Sequence, residues 1–234
     1  MREILTAGIV VTALCGVPAL AADMPVKAPM IAAAPMFNWS GLYAGVNAGY
    51  GWGESRWQNP APTSDTGDFR IRGGLVGGTV GVNWQSGNWI FGIEGDFDWS
   101  GVKGTTGSNC VACTTDGRWL STIRGRLGYA VDRTLWYITG GGAFGGVRND
   151  LHQAGFTPST STQSGGTIGA GVEYAFAPNW SAKIEYLFVE LNDRKCPFTT
   201  CGEVNTRVKF DENIVRAGLN WKFDWGKAPV VAKY

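Results

Sequence analysis

The chain has 234 residues, enough for one large β domain or two smaller ones. Charged residues make up 17%, against about 25% in an average soluble domain, and the formal net charge of +1 gives no case for a nucleic-acid partner. Past the N-terminal segment no run of about 18 apolar residues occurs, so no transmembrane helix is expected there.

Residues 1–21 read as a secretory signal peptide. Ile4 to Val17 is mostly apolar, Pro18 breaks the run, and Ala19-Leu20-Ala21 fits the small-x-small cleavage pattern. Cleavage there would remove Cys15 and leave Cys110, Cys113, Cys196 and Cys201, an even number suited to an oxidising compartment. Residues 22–36 are Ala/Pro-rich and aperiodic, and are expected to form a linker.

Eight candidate strands follow. The first, 40–52, sets Leu42, Ala44, Val46, Ala48, Tyr50 and Trp52 against Tyr43, Gly45, Asn47 and Gly49. The second, 71–84, turns Val76, Val80, Val82 and Trp84 to one face, with Arg72 on the same parity beyond the apolar stretch. The third, 89–99, is the clearest: Trp89, Phe91, Ile93, Phe97 and Trp99 alternate with Glu94, Asp96 and Asp98. In the fourth, 118–130, Trp119, Ile123, Leu127 and Tyr129 oppose Arg118, Thr122, Arg124 and Arg126. The fifth, 135–147, is rich in glycine and its faces are left unassigned. The sixth, 166–176, has Ile168, Ala170, Val172, Tyr174 and Phe176 against Glu173. The seventh, 180–188, has Trp180, Ile184, Tyr186 and Phe188 against Lys183 and Glu185. The eighth, 213–223, has Val215, Leu219, Trp221 and Phe223 against Arg216 and Lys222.

A row of carboxylates facing an apolar stripe with Trp at both ends suits a strand with lipid on one side and a lumen on the other. Backbone polar groups in lipid need partners, so one such strand demands a closed set. The connections agree. They are short and turn-like at 85–88, 131–134 and 177–179, and long and polar at 53–70, 100–117, 148–165 and 189–212, in strict alternation. Trp84, Trp89, Tyr129, Trp136, Phe176, Trp180, Trp221 and Phe223 fall at the short-turn end, and Trp52, Trp99, Trp119 and Phe188 at the other, as two aromatic belts would. The expectation is an all-β, eight-stranded antiparallel transmembrane β-barrel spanning 37–223, with a C-terminal tail at 224–234. A soluble β-sandwich or lipocalin-like barrel is the alternative fold, with the apolar sides facing inward.

Phe-Asn-Trp-Ser-Gly-Leu-Tyr-Ala-Gly-Val-Asn-Ala-Gly-Tyr-Gly-Trp (37–52), Val-Glu-Tyr-Ala-Phe (172–176) and Arg-Ala-Gly-Leu-Asn-Trp-Lys-Phe (216–223) resemble the first, sixth and last strands of small alphaproteobacterial outer-membrane proteins of the OmpA-like, porin-family type. The resemblance implies a monomer in the outer membrane with both termini in the periplasm, and roles in envelope integrity and host contact. It implies partners as well: outer-membrane lipid, the barrel-assembly machinery, and a host or extracellular ligand at the loops. The assembly signal of such barrels is an alternating last strand ending in an aromatic, which here places it on Leu219, Trp221 and Phe223 with the 224–234 tail beyond.

The inward charges are Glu94, Asp96, Asp98, Glu173 and Glu185 against Arg118, Arg124, Arg126, Lys183, Arg216 and Lys222. An eight-stranded barrel has an interior just wide enough for side chains, so these are expected to form a lumen salt-bridge network that plugs it. A narrow pore for ions or small solutes is the alternative. No enzyme activity, cofactor or metal is expected. A lipid-modifying enzyme would need a nucleophile and a base, and the single histidine, His152, lies in a loop. The four cysteines are expected to pair locally, Cys110 with Cys113 and Cys196 with Cys201; pairing between loops and a four-thiolate zinc site are the other arrangements open to them.

Overall fold

The period-two pattern is realised as eight long strands. The computed structural model describes residues 37–58, 68–106, 113–151, 155, 157–195 and 207–223. The expectations for the signal peptide, the linker, His152 and the 224–234 tail fall outside these residues. The strands are β1 (Gly41–Gln58), β2 (Phe69–Ser86), β3 (Trp89–Thr106), β4 (Cys113–Val131), β5 (Thr134–Leu151), β6 (Ser159–Ala175), β7 (Trp180–Lys195) and β8 (Arg207–Lys222). Each pairs antiparallel with the next, and β8 pairs with β1 to close the barrel. Closure leaves no sheet edge along the wall.

One end of the barrel has tight connections. Gly87, at φ +61°, turns β2 into β3, and Asp132, at φ +52°, turns β4 into β5. Positive φ favours glycine and is tolerated by aspartate. The Asn88 side-chain amide donates to the Ala130 carbonyl at 2.8 Å, and that of Asn179 to the Lys222 carbonyl at 3.0 Å, tying each turn to the adjoining strand.

Below the upper aromatic level the sides sort as a membrane barrel requires. Val46, Val76, Val80, Ile93, Ile123, Ile138, Ile168 and Ile184 are each more than half exposed on the outer wall, while Glu94, Asp96, Arg124, Lys183 and Arg216 are buried inside. A lipocalin-like barrel would have the reverse sense. The glycine-rich β5 joins this scheme with Leu135, Tyr137 and Thr139 inward and Trp136 and Ile138 outward.

The strands run further than the apolar alternation suggests, and segments expected as loops, such as 100–106 and 189–195, are strand. Above Trp99 the alternation changes sense. Val102, Val189, Leu191 and Phe210 point inward and are buried, while Lys103, Glu190 and Asn192 point outward and are exposed. The upper barrel is thus patterned as a soluble one, apolar inside and polar outside. Membrane-facing and water-facing lengths of the same strand need opposite patterns.

The filled interior therefore has three layers. At the short-turn end Trp39 packs with Ile90, Ala130, Leu135, Tyr137 and Ala175, backed by Phe37 at 4.8 Å between ring centroids. The charged layer lies in the middle. At the long-loop end Phe69, Ile71, Leu75, Val102, Leu120, Val147, Leu187 and Ile214 belong to one apolar cluster.

Candidate functional site

The middle layer is the chemically distinctive part of the chain. In β3, Glu94, Asp96 and Asp98 share a face by the strand period; on β4 Arg124 stands opposite Glu94 and Thr122 opposite Asp96, with the inward Arg126 opposite Gly92, next along from Glu94. Arg124 reaches Glu94 at 2.5 Å, Asp96 at 2.7 Å and Glu185 of β7 at 3.0 Å. Arg216 of β8 holds Asp98 at 2.8 Å, Asp96 at 3.0 Å and Glu185 at 2.8 Å. Lys183 donates to Glu94 at 2.9 Å. Arg126 pairs with Glu173 and lies over the Tyr137 ring, 3.7 Å from its centroid. Guanidinium forks suit this work because each can serve several carboxylate oxygens at once.

Neutral donors complete the layer. The Tyr43 hydroxyl donates to Glu94 at 2.8 Å, that of Tyr137 to Glu185 at 3.2 Å, and that of Thr122 to Asp96 at 2.8 Å. Glu173 accepts from the Ser181 hydroxyl at 2.5 Å and the Asn220 amide at 2.8 Å. Glycines on adjacent strands make room. A Cβ at Gly49 would meet the Cβ of Arg216, and one at Gly81 or Gly171 would run into the rings of Tyr43 or Tyr137.

Two of the expected network members lie elsewhere. Arg118 is exposed on the outer wall. A β-bulge between Gly117 and Trp119 turns Arg118 and Trp119 to the same side, so parity counted back from Arg124 fails there. Lys222 is half-buried at the short-turn end, where its ammonium donates to the Asn38 carbonyl at 2.5 Å and sits 4.8 Å from the Phe37 ring centroid. It is too near the barrel's end to reach the acids. The structure brings the other nine, Glu94, Asp96, Asp98, Arg124, Arg126, Glu173, Lys183, Glu185 and Arg216, into the buried layer.

Glu212 was not among the expected lumen residues because it falls in a stretch read as loop. It is buried just above this layer, and its Oε1 has no hydrogen-bond partner among the described residues. Continuing the β8 parity upward from Arg216 would have found it. No group of three His, Cys, Asp or Glu suited to a metal occurs among the described residues. Cys113 is buried at the start of β4 and is disulfide-bonded. The expected pairings involve Cys110, Cys196 and Cys201, outside the described residues. Leu219, Trp221 and Phe223 lie exposed on the outer wall, with Trp221 against Trp180 at 4.8 Å.

A closed antiparallel barrel with an apolar outer wall and a buried charged interior is an integral membrane β-barrel. Comparison with known proteins gives the family: the sequence model described as "Outer membrane protein beta-barrel domain" matches residues 7–223. The chain belongs to that family and is an outer-membrane protein. The 31 kDa outer-membrane immunogenic protein of Brucella melitensis is 36% identical over 246 residues, covering 95% of this chain and 100% of its own. The 25 kDa outer-membrane immunogenic protein of Brucella abortus is 30% identical over 199 residues, covering 85% of each. These relatives are named as immunogenic proteins rather than as enzymes. Among solved structures, Neisserial surface protein A is similar at 18% identity with a TM-score of 0.45, covering 79% of this chain and 98% of its own.

Proposed function

We propose that this protein is a structural and surface-presenting element of the outer membrane whose barrel is sealed rather than conducting. The observation that carries this reading is the layered interior. Arg124, Arg216 and Glu94 in the charged layer are each 1% exposed, Ile90 below it is 0% exposed, and so are Val102 and Leu187 above it. A water-filled channel would leave its lining wet. Charges held in mutual ion pairs between two apolar layers leave no continuous wet path for an ion.

In this reading the long-loop end faces the exterior and both termini lie in the periplasm. The immunogenic designation of the Brucella relatives supports an exposed surface, and loop-mediated contact with a host or extracellular ligand is the interactive side of the role. Leu219, Trp221 and Phe223 serve as the signal read by the barrel-assembly machinery, with the tail at 224–234 free of that task. The protein acts as a monomer surrounded by lipid, with no catalytic centre.

The test is solute uptake. Proteoliposomes carrying the purified protein should swell no faster than empty ones in small sugars and amino acids. Swelling that scales with protein content would favour the small-porin alternative.

A further inference from the structure

Immediately above the Trp99–Trp119 rung, β2, β3 and β4 turn cations outward side by side. Arg72 and Lys103 are direct cross-strand partners, and both are exposed. Such partners stand about 5 Å apart, and like charges placed so are unfavourable. The β4 bulge adds exposed Arg118 beside them, and Arg70 follows Arg72 on the same face. The exposed ion pairs among the described residues, Arg148 with Asp150 and Lys209 with Asp211, leave these four cations out. Asp116 opposes Lys103 and Glu54 opposes Arg70 in register, without closing an ion pair. Across β1 the belt changes sign, since Glu190 and Asp211 are cross-strand partners there, and Asp211 and Glu54 line one surface hollow with Arg70 and Arg72.

Height identifies the ligand. Directly beneath the cations, the Phe97 ring packs edge-on to Trp99 at 5.2 Å and stacks on Trp119 at 5.9 Å. Aromatic belts sit at the headgroup level of the membrane–water interface, a layer roughly 5–7 Å deep, so side chains one or two strand residues above the rings stand among the lipid headgroups. Guanidinium forks beside an ammonium recognise phosphate by charge and by paired hydrogen bonds.

We propose that the outer wall of β2–β4 binds the phosphate of a phosphorylated lipid in the leaflet at the long-loop end, with Arg72, Lys103 and Arg118 on the phosphate and Trp99 and Trp119 against the lipid's carbon skeleton. The assignment of that leaflet rests on the orientation proposed above; the contact chemistry does not.

The experiment is native mass spectrometry of the folded full chain in detergent micelles. It is titrated with diphosphorylated lipid A, with its phosphate-free counterpart and with a soluble sulfated oligosaccharide. Because micelles have no sidedness, the outcome is independent of orientation in the cell. The expected result is adducts with the phosphorylated lipid that weaken about fivefold for each cation removed. The triple variant Arg72→Gln, Lys103→Gln, Arg118→Gln should thus lose on the order of a hundredfold. Arg133→Gln, at the short-turn end, should bind as the unmodified protein does. Heat-modifiable gel mobility checks folding, and if the triple variant does not fold, Arg118→Gln alone carries the test. Equal binding of the phosphate-free lipid, undiminished binding by the variants, or tighter binding of the soluble oligosaccharide would each overturn the proposal.

Discussion

Glu94 on β3 and Lys183 on β7 stand on opposite walls of the barrel and meet across its interior in an ion pair of 2.9 Å. No strand pairing brings them together; each belongs to a different half of the closed sheet. Removing Lys183 leaves Glu94 with Arg124 and the Tyr43 hydroxyl but one cation short in a dry layer, a change of up to about 3–5 kcal/mol in comparable buried pairs. Lys183→Met should therefore unfold at markedly lower urea concentration. Glu94→Gln combined with Lys183→Met should fall by less than the two single changes added together, because each single change breaks the same pair. Strict additivity of the two would contradict the pairing.

The glycines facing the network should resist even the smallest side chain. At Gly171 a Cβ would press into the Tyr137 ring and lie 2.7 Å from the Ile184 carbonyl. Gly171→Ala should cost about 1–3 kcal/mol as an overpacked site. Tyr137→Leu in the same chain should relieve the ring clash while losing the contact with Arg126, so the double variant should fall by less than the two singles combined. Unchanged urea midpoints for Gly171→Ala would show that the wall has slack there.

The bulge on β4 gives a direct positional test. Arg118 is exposed and Thr122 is buried, although both share the even parity of the inward face. Arg118→Cys should react rapidly with a charged maleimide in the folded protein, and Thr122→Cys should react only after unfolding. Labelling of Arg118→Cys in intact cells reports at the same time on which end faces outward. Equal reactivity at the two positions would remove the bulge from the account.

Glu212 predicts a stabilising substitution. It is 3% exposed, Asp98 is 0% exposed, and Glu212 lacks a cationic partner among the described residues. An uncompensated carboxyl in that setting opposes folding. Glu212→Gln keeps the volume and should raise the thermal unfolding temperature at neutral pH. A lower unfolding temperature would mean that the carboxylate is satisfied in a way this geometry omits.

Much of the fold was legible because lipid enforces a strict rule on the membrane-facing length. From Trp89 to Trp99 every outward position is apolar or glycine, and each polar residue is inward. The interior acids and bases followed from the same parity. What parity could not deliver was Arg118, since a bulge leaves no mark on composition, and Lys222, since a side chain's height must be known before its partners are. The upper barrel was missed for a different reason. Val189, Glu190, Leu191 and Asn192 do alternate, but in the opposite sense to the membrane part, and a change of sense resembles the end of a strand. Tyr137 was not foreseen because the glycine-rich β5 shows no clear parity, and Tyr43, although on the inward parity, was not foreseen as a donor because parity does not say which acid a hydroxyl will reach.

The lumen is filled, with a charged layer held between two apolar ones. Single-channel recording in planar bilayers, with protein whose folding is verified by heat-modifiable mobility, reads that seal without relying on solute uptake. A sealed lumen gives a baseline without steady current steps, at any salt concentration that keeps the bilayer intact. A reproducible, ion-selective conductance that changes on Glu94→Gln or Arg216→Gln would contradict it, because current through those residues requires water where the structure places paired side chains.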